Sequence, residues 1–453
     1  MSHIIAAILA EHRASGSPEE TIARTYARIR EHNDPAIFIT LRDEADARAE
    51  AKALATGGDT APPLYGVPFA AKDNIDVAGM PTTAACSAFA YTPKADATCV
   101  RRLRAAGAIP IGKTNLDQFA TGLVGVRSPY GVPRNVFNAK LIPGGSSSGS
   151  AVAVAAGLVP FALGTDTAGS GRVPAALGNI VGLKPSLGAV SNAGTVPACR
   201  TLDCVSVFAL TVDDAWSAFT AMAGPDAADP YSRNRPIGTP GPLPPNLRIG
   251  VPITGQRVFF GDLVSAAEYE AAIARFANLG AAISEIDIEP FYETARLLYE
   301  GPWVAERYLV VQKLIASSPE TLHPVTREII MGGARPSAAD AFAAFYRLEE
   351  LRRVSEHVFR QIDVLLVPTI PTAYTVEQAL ADPSGLNSRL GTYTNFVNLL
   401  DLAGLAVPAS IRPDAIPFGI TLLAPGGEDA LLASLGRVFQ ADAKLPPGAL
   451  RRA

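Results

Sequence analysis

The chain has 453 residues, of which 48% are hydrophobic and 18% are charged, and its formal net charge is −4. This apolar content excludes intrinsic disorder, because a disordered chain lacks the apolar surface that offsets the entropy of ordering. The slightly acidic balance, without a basic cluster, argues against nucleic-acid binding. No apolar run reaches the ~18 residues of a membrane span, so we expect no contact with a membrane.

The four cysteines lack CxxC spacing and are too few for a disulfide framework. The N-terminus has no basic region before its short apolar run, so it does not resemble a signal peptide. We therefore expect a reduced, cytoplasmic protein. The 39 glycines and 37 prolines follow no Gly-X-Y period and indicate many turns and loops.

Helices and strands are predicted to alternate along the chain. Ser17 is predicted to cap a helix that has Pro18 at its first position and Glu20 completing a capping box. Further helices are predicted at 42–55 and 97–106. The predicted strands are short and apolar and lie at 64–71, 108–111, 205–210, 247–251 and 364–367. Such alternation is typical of an α/β fold.

Two segments bear on the organisation of this fold. Residues 148–157 form a predicted helix without charged residues, which should be buried on all sides. Residues 235–246 are rich in proline and glycine and are the best linker candidate. Because strand–helix alternation resumes after them, we expect the linker to join two halves of one sheet.

The segment 107–114 matches the phosphate-binding pattern G-x4-G-K-T literally. A phosphate cradle needs a strand before the loop and a helix after it. Here a predicted helix precedes, and the middle of the pattern, Ile109-Pro110-Ile111, favours a strand. Pro110 also lacks the N–H group that a cradle would use. Nucleotide binding is therefore disfavoured.

The segment 145–149 matches the G-x-S-x-G nucleophile elbow, which would place Ser147 at the tip of a sharp turn. The elbow requires an apolar strand immediately before it, and the preceding residues favour a loop. Only His323 and His357 follow as partners, and His357 lies in a charged amphipathic helix.

A metal site is disfavoured as well, because the five histidines and four cysteines never cluster at ligand spacing.

A fourth set of residues offers a better candidate for the chemistry. Two segments rich in Gly and Ser bracket the uncharged helix, one beginning at Ser146 and the other containing Ser170. Such clusters are often simple turns, but solvent-facing turns do not usually bracket a buried helix. Lys72 and Asp166 also lie beside apolar stretches, and buried charges are rarely idle.

Several blocks of the chain resemble the amidase signature family. They are LYGVPFAAKDNIDVAG, LRAAGAIPIGKTNLDQFA, NAKLIPGGSSSGSAVAVAAGLVPFALGTDTAGSGRVPAALGNIVGLKP and DVLLVPTIPT. The resemblance extends from Leu64 to about Pro425, and the central block is very specific. It implies a single α/β domain with a large twisted mixed β-sheet sandwiched by helices. It implies neither a cofactor nor a metal.

The family's catalytic set is Ser-cisSer-Lys. Carried over by position, the resemblance implies Ser170 as the nucleophile, Ser146, in a cis peptide with Gly145, as the shuttle serine, and Lys72 as the base. A lysine acts as a base only when neutral, so its pKa must fall by roughly 3 units through desolvation. The expected oxyanion-hole donors are the backbone N–H groups of Thr167, Ala168, Gly169 and Ser170.

The sequence departs from the common family pattern Gly-Gly-Ser-Ile-Arg, because 168–172 reads AGSGR. Together with RTLDCVSVFAL (200–210) and LLYEGPWVAERY (297–308), this resembles the allophanate hydrolase branch. That branch implies allophanate, a urea with a carboxylate on one nitrogen, as substrate. Hydrolysis of the terminal amide would release ammonia and N-carboxycarbamate, which decarboxylates.

An anionic substrate needs a cationic anchor, and arginine binds carboxylates bidentately. We expect Arg307 to be this anchor, with Tyr299 as its hydroxyl partner, although an arginine on an amphipathic helix is often a surface residue. Arg172 is a poorer choice, because a structural role beside Asp166 fits it better. The loop from Gly122 to Gly125 is expected to line the pocket.

The remaining expectations concern organisation and partners. We expect residues 1–60 to form a helical segment packed as one unit with an amidase domain at 61–453, and the second C-terminal domain of longer allophanate hydrolases to be absent. A homodimer is expected. Three alternatives stay open. The chain could be the amidase component of a tRNA-dependent amidotransferase, another small-amide amidase, or an inactive binding scaffold.

Overall fold

The computed structural model describes residues 3–14, 16–54 and 61–450. In these residues, eleven strands form one mixed sheet. In chain order they are β1 (Phe38–Leu41), β2 (Pro68–Lys72), β3 (Ile109–Thr114), β4 (Phe161–Asp166), β5 (Val181–Lys184), β6 (Cys204–Ala209), β7 (Arg248–Pro252), β8 (Ala282–Ile286), β9 (Val364–Pro368), β10 (Leu402–Ile411) and β11 (Pro417–Pro425).

The sheet consists of two halves that are consecutive in sequence. Its strand order is β1-β3-β2-β4-β6-β5-β10-β11-β9-β7-β8, so β1 to β6 lie on one side and β7 to β11 on the other. The antiparallel pairing of β5 with β10 joins them. Residues 235–246 contain no helix or strand and precede β7, which confirms the prediction of a linker between two halves of one sheet.

Helices cover both faces of the sheet. They are α1 (Ile5–Ala14), α2 (Pro18–His32), α3 (Glu44–Ala53), α4 (Thr98–Ala105), α5 (Ser148–Ala155), α6 (Val173–Leu177), α7 (Val212–Met222), α8 (Leu263–Asn278), α9 (Glu289–Glu300), α10 (Val304–Ser317), α11 (Pro324–Gly332), α12 (Ala338–Gln361), α13 (Val376–Ala381), α14 (Gly385–Leu390), α15 (Phe396–Leu399) and α16 (Asp429–Ala443). Short 3-10 helices lie at Ser87–Phe89, Gln118–Ala120, Thr254–Gln256 and Pro319–Thr321.

The strands show why the core has two layers. Side chains alternate between the faces of a strand. Phe69 and Ala71 of β2 belong to one hydrophobic cluster with residues of α4, α7, α8 and α16, whereas Ala70 belongs to another with residues of α2, α3 and α5. Because β2 lies between the parallel strands β3 and β4 and both its faces are covered, all of its residues are buried. The predicted α/β fold, a large mixed sheet sandwiched by helices, is confirmed.

Several predicted elements differ at their ends. Residues 64–66 form a turn, so β2 begins at Pro68 rather than at 64. The capping box at α2 is wrong: the Ser17 side chain accepts from the N–H of Glu19 instead. The helix expected at 42–55 begins at Glu44, after its cap Asp43, and its predicted last residue lies outside the described residues. The uncharged helix α5 is buried throughout, as predicted.

The N-terminal segment is more than helical, because β1 pairs with β3 at the edge of the sheet. The proposed domain limits and the expected absence of a second domain stay predictions. Within the described residues, no helix combines the length and apolar character needed to cross a membrane.

Candidate active site

Lys72 ends strand β2, at the centre of the first half of the sheet. Its side chain is fully buried, and its Nζ donates to Ser146 Oγ at 2.7 Å and to Thr165 Oγ1 at 2.8 Å. Thr165 lies on the neighbouring strand β4. The amine is therefore held by one partner on the sheet, Thr165, and by the predicted shuttle serine, Ser146, outside it.

Ser146 lies just before helix α5, and the peptide bond between Gly145 and Ser146 is cis. The resemblance implied this bond, and the structure contains it. A Cβ at Gly145 would clash with the Asp117 carboxylate and with the backbone N of Gly125. Glycine is thus required where the chain turns toward Lys72.

Ser170 lies between β4 and α6, in the second segment rich in Gly and Ser. Its Oγ is 3.5 Å from the carbonyl oxygen of Gly122. The same loop contacts Ser146, because the backbone N–H of Asp117 donates to the Ser146 carbonyl at 3.0 Å. Both serines are buried, and each has a hydrogen bond with the loop 117–122.

The surroundings of Lys72 favour its neutral form. Burial lowers the pKa of Lys72 to about 7; the carboxylates of Asp117, Asp203 and Asp166 oppose this shift, and the guanidinium of Arg307 adds to it. Desolvation disfavours the charged form of a lysine. A large part of the Lys72 population is therefore neutral near neutral pH and able to accept a proton.

The segment 167–171 follows Asp166 in the chain. The carboxylate of Asp166 fixes the backbone of this segment. Asp166 Oδ1 accepts from the N–H of Gly169 and Oδ2 from the N–H of Gly171, each at 3.0 Å. Arg172 forms a bidentate ion pair with the same carboxylate, so the structural role expected for Arg172 is present. The N–H of Gly169 is occupied, and we therefore remove Gly169 from the candidate oxyanion donors. Thr167, Ala168 and Ser170 remain.

Arg307, in helix α10, is buried rather than exposed on a surface. Its Nη1 donates to the carbonyl of Ala120 at 3.2 Å and to Thr121 Oγ1 at 3.0 Å. Its guanidinium lies over the ring of Tyr299, 5.6 Å from the centroid. Within the described residues, Nη2 has no hydrogen-bonding partner. The structure thus brings Arg307 and Tyr299 together, and the Cys199 thiol also lies beside the guanidinium.

The two glycines predicted to line the pocket have different surroundings. The carbonyl of Gly122 is the group nearest to Ser170 Oγ. Gly125 instead packs against Pro143 and the carbonyl of Gly144, and its N–H donates to Asp117 at 2.9 Å. Of these two glycines, we therefore retain only Gly122 as a candidate pocket residue.

The sequence analysis missed three polar residues near Lys72 and the loop 117–122. Thr165 is the second partner of Lys72. Asp203 is buried and accepts from the Thr167 hydroxyl and from the N–H groups of Ala198 and Cys199. Burial raises the pKa of Asp203 to about 6. The third, Arg127, is buried beside the same loop. Asp203 directly precedes the apolar segment 204–210, which was an available signal, whereas Thr165 lies among other polar residues and gave none of its own.

The competing motifs have structural roles. The segment that matches G-x4-G-K-T contains strand β3, and its Lys113 forms a buried ion pair with Asp73 at 3.1 Å. Ser147 of the elbow match stands at the N-cap position of α5, but its hydroxyl donates to the carbonyl of Thr165 instead of capping the helix. In the part of the chain that the structure describes, no group of His, Cys, Asp or Glu is arranged to hold a metal.

The arrangement is suited to acyl transfer. Such a reaction needs a nucleophile, a proton acceptor and donors for the developing oxyanion. Lys72 bonded to Ser146 is a buried acceptor with a relay, and Ser170 is a buried hydroxyl that contacts the same loop, 117–122, as Ser146.

A family model described as "Amidase" matches residues 20–433. Among curated proteins, the chain is 50% identical over 412 residues to "Urea amidolyase" of Lachancea kluyveri, covering 90% of this chain and 22% of that protein. It is 38% identical to a glutamyl-tRNA(Gln) amidotransferase subunit of Symbiobacterium thermophilum, covering 90% of each.

Solved structures agree with these matches. The Kluyveromyces lactis allophanate hydrolase has a TM-score of 0.92 and 45% identity, over 97% of this chain and 72% of that one. The chain thus spans about a fifth of the curated urea amidolyase that it matches, and most of the solved hydrolase. Because the family model covers most of the chain, the chain belongs to the amidase family.

Proposed function

We propose that the chain hydrolyses the terminal amide of allophanate by a Ser-cisSer-Lys mechanism. The observation that carries the proposal is the buried guanidinium of Arg307 with its unpartnered Nη2, in one site with the Lys72–Ser146 pair. A buried donor without an acceptor is costly, so this nitrogen favours a substrate that carries an anion. Allophanate has a carboxylate on the nitrogen next to its terminal urea-like carbonyl.

In the first half of the reaction, Ser170 Oγ attacks the terminal carbonyl carbon. Its proton passes to Ser146, and the Ser146 proton passes to neutral Lys72. The oxyanion accepts hydrogen bonds from the free N–H groups of the segment 167–170. When the tetrahedral intermediate collapses, the C–N bond breaks, and Lys72 returns the proton through Ser146 to the departing ammonia.

The second half repeats these steps with water. Water attacks the acyl carbon on Ser170, loses its proton along the same relay, and the Ser170 oxygen leaves and is reprotonated. The product, N-carboxycarbamate, then loses carbon dioxide. One water is consumed and one ammonia released, without an oxidant or a cofactor. The relatives named urea amidolyase and allophanate hydrolase support this substrate.

A second candidate is the amidase component of a tRNA-dependent amidotransferase. The observation in its favour is length, because the chain and the matching amidotransferase protein cover 90% of one another. Such a component would take a zwitterionic amide and deliver ammonia to a partner. A homodimer and a cytoplasmic location remain part of the proposal and are not needed for the chemistry.

Ammonia release by the purified chain from several amides tests the proposal. We expect release from allophanate without ATP, tRNA or a second protein, and a much lower kcat/KM for glutamine and for propionamide. Release from glutamine that requires Glu-tRNA and ATP, with none from allophanate, would favour the amidotransferase function and contradict the proposal. Equal kcat/KM values for allophanate and propionamide would show that no anion is selected.

A further inference from the structure

We propose that Arg127 is a second cationic specificity residue, which acts with Arg307 to select amides that carry a carboxylate. This inference rests on the proposed function and deepens it. The Arg127 side chain is only 1% exposed. Its Nη1 donates to the carbonyl of Thr121 at 2.9 Å, and its Nη2 donates to the carbonyl of Pro383 at 2.5 Å. Within the described residues, Nε has no partner.

Arg127 and Arg307 converge on one residue. Arg127 bonds the carbonyl of Thr121, and Arg307 bonds its hydroxyl. Tyr299, whose ring lies beneath the Arg307 guanidinium, lines a cleft of about 450 Å³ together with Arg127. Glu300, Glu328 and Arg335 line the same cleft, whereas Arg307 reaches Thr121 from outside its lining. Two guanidinium groups therefore flank the same short stretch of the loop that carries Gly122.

Neither of these charges has a carboxylate partner of its own. In the described part of the chain, no carboxylate oxygen lies within 4.0 Å of a guanidinium nitrogen of Arg127 or Arg307. Asp117 is nearby, but its oxygens accept from the backbone N–H groups of Gly125 and Arg127. By contrast, the buried Arg172 is paired directly with Asp166.

This arrangement favours an anion beside Thr121, where both guanidinium groups are bonded. Buried cations without direct counter-charges raise the free energy of the empty site, and a bound carboxylate lowers it. A single guanidinium can donate two parallel hydrogen bonds to such a carboxylate. A second buried charge at short range adds to the attraction even without a direct hydrogen bond, because screening is weak in a buried site. Arg127 is therefore expected to increase selectivity for charged over neutral amides.

Binding to the Ser170→Ala protein tests this without turnover. The probes are malonamate, in which a methylene replaces the NH of allophanate, and neutral propionamide, each titrated by calorimetry. We expect Arg127→Gln to weaken malonamate binding roughly tenfold and to leave propionamide binding within about twofold of the parent. Arg127→Lys, which keeps the charge, should retain most of the malonamate affinity.

The Arg307→Gln variant provides a measurement that does not depend on how Arg127 variants fold. With Arg127 intact, it should still prefer malonamate over propionamide severalfold. Complete loss of this preference in Arg307→Gln would overturn the inference, as would an equal loss for both ligands in Arg127→Gln or no preference in the Ser170→Ala parent. If the wild type releases no ammonia from allophanate while malonamate binding still depends on Arg127, the proposed substrate is wrong and the inference stands.

Discussion

Lys72 Nζ lies 2.7 Å from Ser146 Oγ, and neither side chain is exposed to solvent. Because both side chains are buried, the protonation state of Lys72 determines whether it can act as a base. Burial lowers the pKa of Lys72 to about 7, so the neutral form becomes dominant as the pH rises above that value. The proposed relay needs this neutral form.

We therefore expect kcat/KM to rise about tenfold per pH unit below pH ~7 and to level off above it. The measurement is the pH profile of ammonia release by the wild type. Lys72→Met should lose activity while its thermal unfolding midpoint does not fall, because methionine fills similar space without a buried amine. A profile that is flat across this range would rule out Lys72 as the base.

Arg307→Ala is expected to raise KM for allophanate far more than KM for propionamide. Loss of a charge-assisted contact to a buried carboxylate costs about 2–4 kcal/mol, or roughly 30- to 1000-fold in kcat/KM. Propionamide has no carboxylate and should lose little. Steady-state kinetics on both substrates decide the matter, and equal losses would mean that Arg307 only supports the loop at Thr121.

Asp214 provides a test away from the site. It is buried, and its Oδ1 accepts from the N–H of Ile5 at the start of α1. Burial raises the pKa of Asp214 to about 7, whereas in the unfolded chain it is about 3.9. Between these values the folded state retains a proton that the unfolded state has lost, so the contribution of Asp214 to stability falls as the pH rises.

Asp214→Asn keeps the acceptor for Ile5 but cannot ionise. We expect the variant to gain stability relative to the wild type as the pH increases from 4 to 8, by a few kcal/mol at most. Thermal melts of both proteins across this range measure the difference. A difference that does not change with pH would contradict the ionisation of Asp214 in this window.

The sequence predicts much of the fold because the local signals agree with one another. The uncharged segment 148–157 could only be a buried helix, and Ile109-Pro110-Ile111 favoured a strand over a phosphate loop; the structure contains both. The start of β2 was misplaced because apolar residues at 64–66 continue the strand pattern into a turn.

The site was less predictable, because its contacts are distant in sequence. Arg307 meets Thr121 across 186 positions, and Arg127 meets Pro383 across 256. No local pattern encodes such contacts. The occupied N–H of Gly169 is by contrast a local contact, but the direction of the Asp166 carboxylate also depends on its ion pair with Arg172. Only the folded chain determines these positions.

The most direct test of the account is ammonia release from allophanate by the purified chain, compared with its Ser170→Ala variant. Removal of one hydroxyl oxygen leaves a small cavity, so the variant should fold with an unchanged melting temperature. We predict steady release by the wild type and none above background by Ser170→Ala. Release by the variant at the wild-type rate, or no release by a folded wild type, would contradict the proposed serine-centred hydrolysis.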